Sequence, residues 1–300
     1  MPRTVTAGLD GSRESLAAAD WAAREALLRG LPLRLVHVWE WQPYINAPLV
    51  GPETQHHWAE RIPREAVAGL RTRYPDLEIA TDQIAGQPAA ILSVAAEESE
   101  MLVLGSRGLS GIAGFLVGSV ALATLARAER PVVLVRSTEL AQDEHRPDAA
   151  GDPSTTTPYR DVVLGLDPSR PCGELIEFAF DAAARRGARL RVVHGWSLPP
   201  VYGYDPGAVD AALAAELAAQ EASVLADALR PWRDKFPGVE VIVRDIFGRP
   251  AHHLVEAASA AGLLVVGRRT HASAIGTHIG PVAHAVLHHC TAPVTVVPHT

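Results

Sequence analysis

The amino-acid sequence predicts an α/β protein with two similar domains, each built on a five-stranded parallel sheet flanked by helices. Short apolar segments alternate with amphipathic helical segments, as expected when parallel strands are joined by crossover helices. The landmarks of the first half also return, in the same order, in the second half. The length of 300 residues suits two domains of ordinary size. These observations together favour a duplicated α/β fold.

The first half contains five predicted strands separated by helices. Ser12 suits the N-cap of the first helix, which has a partly apolar face around Trp21 and is ended by Gly30 and Pro32. The remaining helices are predicted over Glu53–Arg73, Pro88–Glu98 and Val120–Ala126. The predicted strands are Thr4–Leu9, Leu33–Val38, Glu78–Ile84, Met101–Leu104 and Pro131–Val135.

An internal duplication relates the two halves. Four landmarks of the first half are Gly8–Ser12, Leu33–Trp39, Ala85–Ala89 and Pro131–Val135. They return as Gly165–Ser169, Leu190–Trp196, Phe247–Ala251 and Pro293–Val297. A fifth pair is formed by the glycine-containing loops that begin at Gly105 and Gly267. Five matched landmarks in one order indicate a repeated domain.

The stretch between the two copies differs in composition from both. Ser137–Pro158 is rich in Asp, Glu, Pro, Ser and Thr and lacks apolar periodicity, which is typical of a linker. We therefore predict a first domain over residues 1–138, a linker over 139–158 and a second domain over 159–300.

A glycine-rich loop, Gly105–Ser119, lies between the fourth predicted strand and the helix that follows it. Glycines allow positive φ angles and a close approach of the backbone to a ligand. The helix N-terminus adds unpaired N–H groups and the positive end of the helix dipole. We predict that this loop binds phosphate, with Gly118, Ser119 and the next N–H, that of Val120, as its cap.

Asp10 follows the first strand and is expected to lie near the glycine loop. In open parallel sheets, ligands bind outside the carboxyl ends of the strands, where the strand order reverses. If strands one and four are neighbours there, Asp10 could accept hydrogen bonds from a nucleoside or help to hold a metal ion. The end of the second strand, around Val38, would flank a base. Asp10 fits a turn or helix cap equally well, and His37 suits a packed strand histidine.

Two other nucleotide-binding motifs are absent from the sequence. The chain has no G-x-x-x-x-G-K-[ST] loop, and Lys235 is its sole lysine. No G-x-G-x-x-G follows the first strand, which disfavours a dinucleotide fold.

The spacing Gly105-x2-Gly108-x9-Gly118-Ser119 resembles the ATP-binding pattern of universal stress proteins, G-x2-G-x9-G-[ST]. The Gly-Leu-Asp-Gly-Ser opening, the Leu-Val-His-Val strand and the final Pro-Val-Val-Leu-Val resemble that family too, and both halves match. The resemblance implies two Rossmann-like domains of strand order 3-2-1-4-5 and ATP, alone or with Mg²⁺, as the ligand. It implies these ATP-binding residues: Gly8, Asp10, Val38, Gly105, Ser106, Arg107, Gly108, Leu109, Ser110, Gly111, Gly118, Ser119 and Val120. Family members associate through the last strand, here Pro131–Val135 and Pro293–Val297, within one chain or as a homodimer.

The second half keeps the spacing but departs from the pattern in its chemistry. Thr270 replaces a glycine, and Pro281 replaces the hydroxyl residue and lacks an N–H. Each charge-assisted hydrogen bond lost weakens binding by about 1.5–3 kcal/mol. We therefore predict that ATP binds the first half, and that the second half binds it weakly or not at all. The residues of this second, weaker site would be Gly165, Asp167, Gly267, Arg268, Arg269 and Gly280.

Composition limits the other partners. The net charge of −7 disfavours a general nucleic-acid binder, and no apolar run approaches the roughly 20 residues that span a bilayer. Two cysteines make no disulfide framework, and no signal-peptide pattern precedes the first strand, so we expect a cytoplasmic protein. His284 and His288 have zinc-compatible spacing but no acidic third ligand nearby. Like the pairs His56–His57 and His252–His253, they do not lead us to predict a metal site.

The leading functional prediction is a nucleotide-binding stress-response regulator rather than an enzyme. No nucleophile or oriented general base stands out in the sequence, so no catalytic residue is assigned. Two alternatives stay open at this point: a slow ATP-hydrolysing enzyme and a ligand-free interaction module, which the second half resembles.

Overall fold

The fold is described from a computed structural model of the chain, which covers residues 3–39, 52–107, 117–170, 172–196, 211–270 and 279–299. Side chains of 52–59 and 211–214 are outside this description. Contacts between Cα atoms divide the chain into two compact units. Unit 1 contains the described residues up to Ala141 and Pro293–Pro298, and unit 2 contains Gln142–Arg268 and Gly280–Ala292.

Unit 1 contains the elements of the first half in the predicted sequence. Its first five strands are parallel and lie in the order β3-β2-β1-β4-β5, which is the predicted order 3-2-1-4-5. The strands are β1 (Val5–Leu9), β2 (Leu33–Trp39), β3 (Ile79–Ala85), β4 (Met101–Gly105) and β5 (Val132–Val135). The helices are α1 (Arg13–Arg29), α2 (Pro52–Arg73), α3 (Pro88–Glu97) and α4 (Ser119–Arg127).

Unit 2 repeats this arrangement with the second copy. Its strands pair in the order β9-β6-β7-β8, all parallel, which repeats the first four positions of the predicted order. The strands are β6 (Asp161–Gly165), β7 (Leu190–Trp196), β8 (Val241–Phe247) and β9 (Ala261–Arg269). The helices are α5 (Gly173–Arg186), α6 (Ala211–Lys235), α7 (Pro250–Ala258) and α8 (Pro281–His289).

The last strand of the second copy, β10 (Val294–His299), pairs with β5. The pairing is antiparallel, with Val294 opposite Leu134 and Val296 opposite Val132. These are the two strands that the family resemblance implies will associate, and their valine and leucine residues are buried. Pairing removes an exposed apolar edge that could recruit other strands.

Helix α1 begins and ends where its capping residues predict. The Ser12 hydroxyl accepts the N–H of Ser15, and Gly30 ends the helix in the left-handed conformation, with φ of 64°. Trp21, in the middle of the helix, is completely buried against the sheet side of the unit. The amphipathic pattern therefore located this helix correctly, because both caps and its apolar face are local features.

The segment between the copies has more structure than its composition suggested. A short 3-10 helix spans Ala141–Glu144, and the carbonyl of Glu144 accepts the N–H of Arg160 at 2.8 Å.

Asp161 is buried among three arginines and accepts hydrogen bonds from Arg189 and Arg191. Burial raises the pKa of Asp161, but these arginine hydrogen bonds outweigh it and hold the pKa below its ordinary value.

Among the helices that the structure describes, none combines the length and the apolar character needed to cross a bilayer.

Replacing Gly105 by alanine tests the packing of α1 on the end of β4. A Cβ at this position would lie 2.7 Å from the carbonyl carbon of Glu14 and 2.9 Å from the N of Ser15. Backbone atoms cannot move aside cheaply, so we expect Gly105→Ala to lower the free energy of unfolding by about 1–3 kcal/mol. Urea titration followed by circular dichroism measures the change.

The matched control is Gly69→Ala in helix α2. Its Cβ would meet only the end of the Arg73 side chain, at 4.0 Å. Alanine in an open helix interior is expected to stabilise by up to about 1 kcal/mol. Equal effects of the two substitutions would contradict the packing argument.

Candidate functional site

The candidate site lies at the carboxyl ends of β1 and β4. These two strands are parallel neighbours, and the strand order reverses between them because β2 lies beyond β1 and β5 beyond β4. The loops that leave their ends therefore run in opposite directions and leave a crevice. Asp10 follows β1 and Ser106 follows β4, so both predicted loops start at this edge of the sheet.

A cavity of about 250 Å³ occupies this crevice. It is lined by eight of the predicted residues, brought together from four separate stretches of the chain. They are Gly8, Asp10, Val38, Gly105, Arg107, Gly118, Ser119 and Val120. The other lining residues were not predicted from the sequence: Leu9, Ser15, Val36, Pro88, Leu92, Leu104 and Ala121. Leu92 and Pro88 belong to α3, and only the packing of that helix on the sheet places them there.

Two glycines of the site are required by close packing. A Cβ at Gly8 would lie 2.7 Å from the Leu104 side chain and 3.1 Å from that of Leu92. A Cβ at Gly105 would strike the backbone of Glu14 and Ser15. Glycine at these positions lets β1, β4, α1 and α3 converge on the cavity without filling it.

Asp10 has the role of a turn former and also borders the cavity. One of its carboxylate oxygens, Oδ1, accepts the N–H of Ser12 at 2.9 Å and the Ser12 hydroxyl at 2.5 Å. The N–H of Asp10 donates to the Ser15 hydroxyl at 3.3 Å. These bonds hold the loop at the start of α1 in one conformation, which is the local role that the sequence left open as an alternative.

The phosphate end of the predicted site is the start of α4. Gly118 is the N-cap, and its N–H donates to the carbonyl of Ser106 at 2.8 Å, which ties the two ends of the glycine loop together. The first backbone hydrogen bond of α4 runs from the N–H of Leu122 to the carbonyl of Gly118. The N–H groups of the three helical residues before Leu122 therefore have no acceptor within the helix. This end of the helix therefore presents donors and a positive dipole at the cavity.

Ser106 and Arg107 occupy different surroundings at the end of β4. Ser106 is only 2% exposed, and its hydroxyl has no hydrogen-bond partner among the described residues. It is not part of the cavity lining. Arg107 lines the cavity and forms an ion pair with Glu14 at 3.5 Å. The predicted residues Gly108, Leu109, Ser110 and Gly111 lie outside the described residues.

The histidine of strand β2 is packed in the structure, as the sequence suggested for a strand histidine. His37 is buried, and its Nδ1 donates to the carbonyl of Leu9 at 2.9 Å. This bond links β2 to the end of β1 and leaves the next residue, Val38, to line the cavity.

The second copy differs most clearly where a base would be expected. Gly195 has the position of Val38, and a Cβ there would lie 2.6 Å from the Cα of Pro250. Pro250 begins α7 and corresponds to Pro88, which lines the cavity of the first copy. In the second copy, the start of the helix therefore lies directly against the strand backbone.

The remaining residues of the predicted second site lie at equivalent places in the fold. Asp167 accepts the N–H and hydroxyl of Ser169 at 3.1 and 2.6 Å, as Asp10 does with Ser12. A Cβ at Gly165 would lie 2.9 Å from the end of the Leu254 side chain, and one at Gly267 would lie 2.7 Å from the His299 ring, so either would require a side-chain shift. Arg268 is buried and Arg269 exposed. Gly280 caps α8, whose first residue is Pro281.

In the second copy, the N-cap of the first helix is a different residue from the one that the repeat indicates. Cys172, rather than Ser169, caps α5, and its thiol contacts Glu174 at 3.1 Å. Burial and the neighbouring Glu174 raise the pKa of Cys172 to about 11, so the thiol stays protonated at neutral pH.

The second copy also has a carboxylate pair beside its strand histidine. His194 is buried like His37, and its Nε2 lies 3.4 Å from the carboxylate of Glu221 on α6. Asp245 is its partner in strand register, and the Oδ1 of Asp245 is buried without a hydrogen-bond partner in the described structure. Burial and the charge of Glu221 raise the pKa of Asp245, while His194 opposes the shift.

Comparison with known proteins identifies the class to which this fold and crevice belong. The sequence model of the universal stress protein family matches residues 1–136 and again residues 158–298. The chain belongs to the universal stress protein family and carries two copies of its domain.

Individual relatives match nearly the whole chain. Universal stress protein Rv2005c from Mycobacterium tuberculosis is 35% identical over 308 residues, covering 97% of this chain and 96% of that protein. A universal stress protein from Mycolicibacterium smegmatis is 30% identical, covering 98% of this chain and 96% of its own length. The crystal structure of a universal stress protein from Archaeoglobus fulgidus has the same fold, with a TM-score of 0.67 at 17% identity, covering 99% of this chain and 98% of that one.

Replacing Asp245 by asparagine tests the carboxylate pair of the second copy. A carboxyl group whose pKa is raised by folding destabilises the fold once pH rises above that pKa. Asp245→Asn should therefore raise the free energy of unfolding at pH 7, by less than about 1 kcal/mol because solvent screens the group. The gain should shrink as pH falls from 7 to about 4, because the native carboxyl takes up its proton more readily than the unfolded one.

Urea titrations at the two pH values measure this difference. Asp234→Asn, which changes the same charge at an exposed position of α6, is the matched control. A gain for Asp245→Asn that did not depend on pH would contradict the explanation.

Proposed function

We propose that this protein is a nucleotide-binding regulator of the stress response that holds ATP in its first half. The observation that supports this most directly is the composition of the cavity. Gly8, Asp10 and Val38 meet both ends of the G-x2-G-x9-G-S motif there, although up to 110 positions separate them in the sequence. The proposed role is binding, without a catalytic residue in the chain.

Different residues of the cavity suit the base, the ribose and the phosphates of a nucleotide. Val36, Val38 and Leu92 supply an apolar wall for a base, and Asp10 supplies a carboxylate for a ribose or for Mg²⁺. Gly118, Ser119 and Val120 supply the start of α4 for phosphates. The volume of about 250 Å³ is slightly below the roughly 300–1,000 Å³ that is typical of small-molecule sites, and it is bounded by described residues only, without residues 108–116.

We propose that the second half binds ATP weakly or not at all. Gly195 removes the apolar side chain that Val38 supplies, and Pro250 lies against the strand at that point. Pro281 removes one N–H donor from the start of α8. The loss of an N–H donor and the loss of apolar wall area each reduce the affinity for ATP.

Calorimetric titration of the full chain with ATP tests the proposed asymmetry. We expect one ATP per chain. Gly118→Ala combined with Ser119→Ala should weaken binding at least about tenfold, because it removes a hydroxyl and adds a methyl group where phosphate is expected. Unchanged affinity would show that the loop assignment is wrong.

The second copy provides the matched control for this variant. Gly280→Ala combined with Pro281→Ala changes the equivalent positions, and a Cβ at Gly280 would meet no atom of the described residues within 4 Å. ATP binding should not weaken in this variant. Two ATP molecules bound with equal affinity in the native chain would contradict the asymmetry.

The nucleotide released from the denatured, purified protein distinguishes this proposal from its alternatives. We expect ATP in the released fraction, and we expect it to stay ATP during incubation of the native protein. ADP or AMP accumulating with time would instead indicate an enzyme. Absence of any nucleotide, together with no calorimetric binding, would indicate a ligand-free interaction module. Ion-exchange chromatography of the released fraction separates these outcomes.

A further inference from the structure

Three potential metal ligands converge on the first turns of helix α7. His252, His253 and Glu256 each offer one ligand atom, and these atoms all lie within 4.8 Å of one another. The two imidazole rings are nearly perpendicular, at 87°, with centroids 5.7 Å apart. The sequence did not lead us to predict a metal here. The helix supplies the third ligand, because residues three and four apart lie on one face.

These three residues distinguish the second copy from the first. The two helices start at equivalent prolines, Pro88 and Pro250. Counting from them, His252, His253 and Glu256 take the places of Ala90, Ile91 and Val94. The fold thus accommodates apolar residues at all three positions, so packing does not explain why the second copy carries two imidazoles and a carboxylate.

The ring of His253 is oriented by the turn before the helix. Its Nε2 lies 3.3 Å from the carbonyl oxygen of Phe247. The ring covers Gly248, where φ is 136° and a Cβ would lie 2.6 Å from Nε2. A carbonyl that accepts from one ring nitrogen leaves the other as a lone-pair donor, which is the usual outer-shell support of a metal-bound histidine.

The other two side chains have no competing partner in the described part of the chain. Glu256 forms no ion pair there, and its carboxylate accepts no hydrogen bond. The His252 ring has no hydrogen-bond or ion-pair partner among the described residues, and it lies beside the ring of His253. Glu256 and His252 are exposed and His253 is partly buried, so an ion could reach all three from solvent.

We propose that His252, His253 and Glu256 form a Zn²⁺ site on helix α7. Two neutral imidazoles and one carboxylate match the donor preference of Zn²⁺, with water completing the coordination. Such a site would tie the first two turns of α7 together beside Pro250, the residue that lies against Gly195. The proposal concerns the second copy only and does not depend on nucleotide binding by the first.

Titration of the full chain with Zn²⁺ tests the site. We compare the native protein with His252→Ala, His253→Ile and Glu256→Val combined, which restores the residues of the first copy. This variant should lose one Zn²⁺ site. The conservative Glu256→Gln should weaken that site at least about tenfold, because it keeps the shape of the side chain and removes its charge. Circular dichroism verifies that both variants are folded.

The matched control is His56→Ala combined with His57→Ala. It removes another adjacent pair from the 13 histidines and leaves the α7 cluster unchanged, so the number of Zn²⁺ sites should not change. The proposal would be overturned if the native chain bound no Zn²⁺. It would equally be overturned if the triple variant bound as many ions as the native chain, or if the control lost the same site.

Discussion

Close packing of helix α1 on the end of strand β4 is the constraint on which the candidate site depends. The Gly105 backbone approaches Glu14 and Ser15 so closely that a single Cβ would overlap them. This contact brings the loop after β1 and the loop after β4 to one edge of the sheet. Asp10 and Ser12 then fix the first loop by short-range hydrogen bonds, and Gly118 fixes the second by its bond to Ser106. The cavity is the space that remains between these two loops, and Gly8 forms part of its wall.

The two copies share a frame but differ at positions that line the crevice of the first copy. Asp167 and Ser169 preserve the turn of Asp10 and Ser12, and Gly165 and Gly267 preserve the close contacts of the strands. The cavity-lining positions differ instead: Gly195 stands where the first copy has Val38, and Pro281 stands where it has Ser119. Because frame and ligand surface use different residues, a duplicated domain can retain its stability while its binding surface diverges. Helix α7 differs from α3 in another way, because His252, His253 and Glu256 carry potential metal-ligand atoms where α3 has apolar residues.

The order of strands and helices was predictable because each element carries its own signals. Ser12 marks the start of α1, and Gly30 marks its end. The apolar runs mark the strands, and the repeat shows the same order of elements a second time. The resemblance to universal stress proteins also implied that β5 and β10, the last strands of the two copies, would associate, and they pair. The structured 3-10 helix at Ala141–Glu144 was not predicted. Its main contact, from Arg160 to Glu144, joins residues that have no shared periodicity, and the surrounding composition resembles a flexible linker.

By itself the sequence determined the α/β class, the repeat and most of the polar positions around the crevice, since glycine spacing and capping residues act over a few neighbouring positions. Only the tertiary structure decided which apolar residues close the cavity, because Leu92 and Pro88 reach it through the packing of α3 on the sheet. It also decided that Asp10 borders the cavity while it holds a turn, so that the turn role does not remove Asp10 from the cavity wall. In the same way, the approach of Pro250 to Gly195 and the meeting of Glu256 with two histidines arise from the placement and winding of one helix. Distances of that kind depend on packing between elements and within a helical turn, which a linear pattern does not contain.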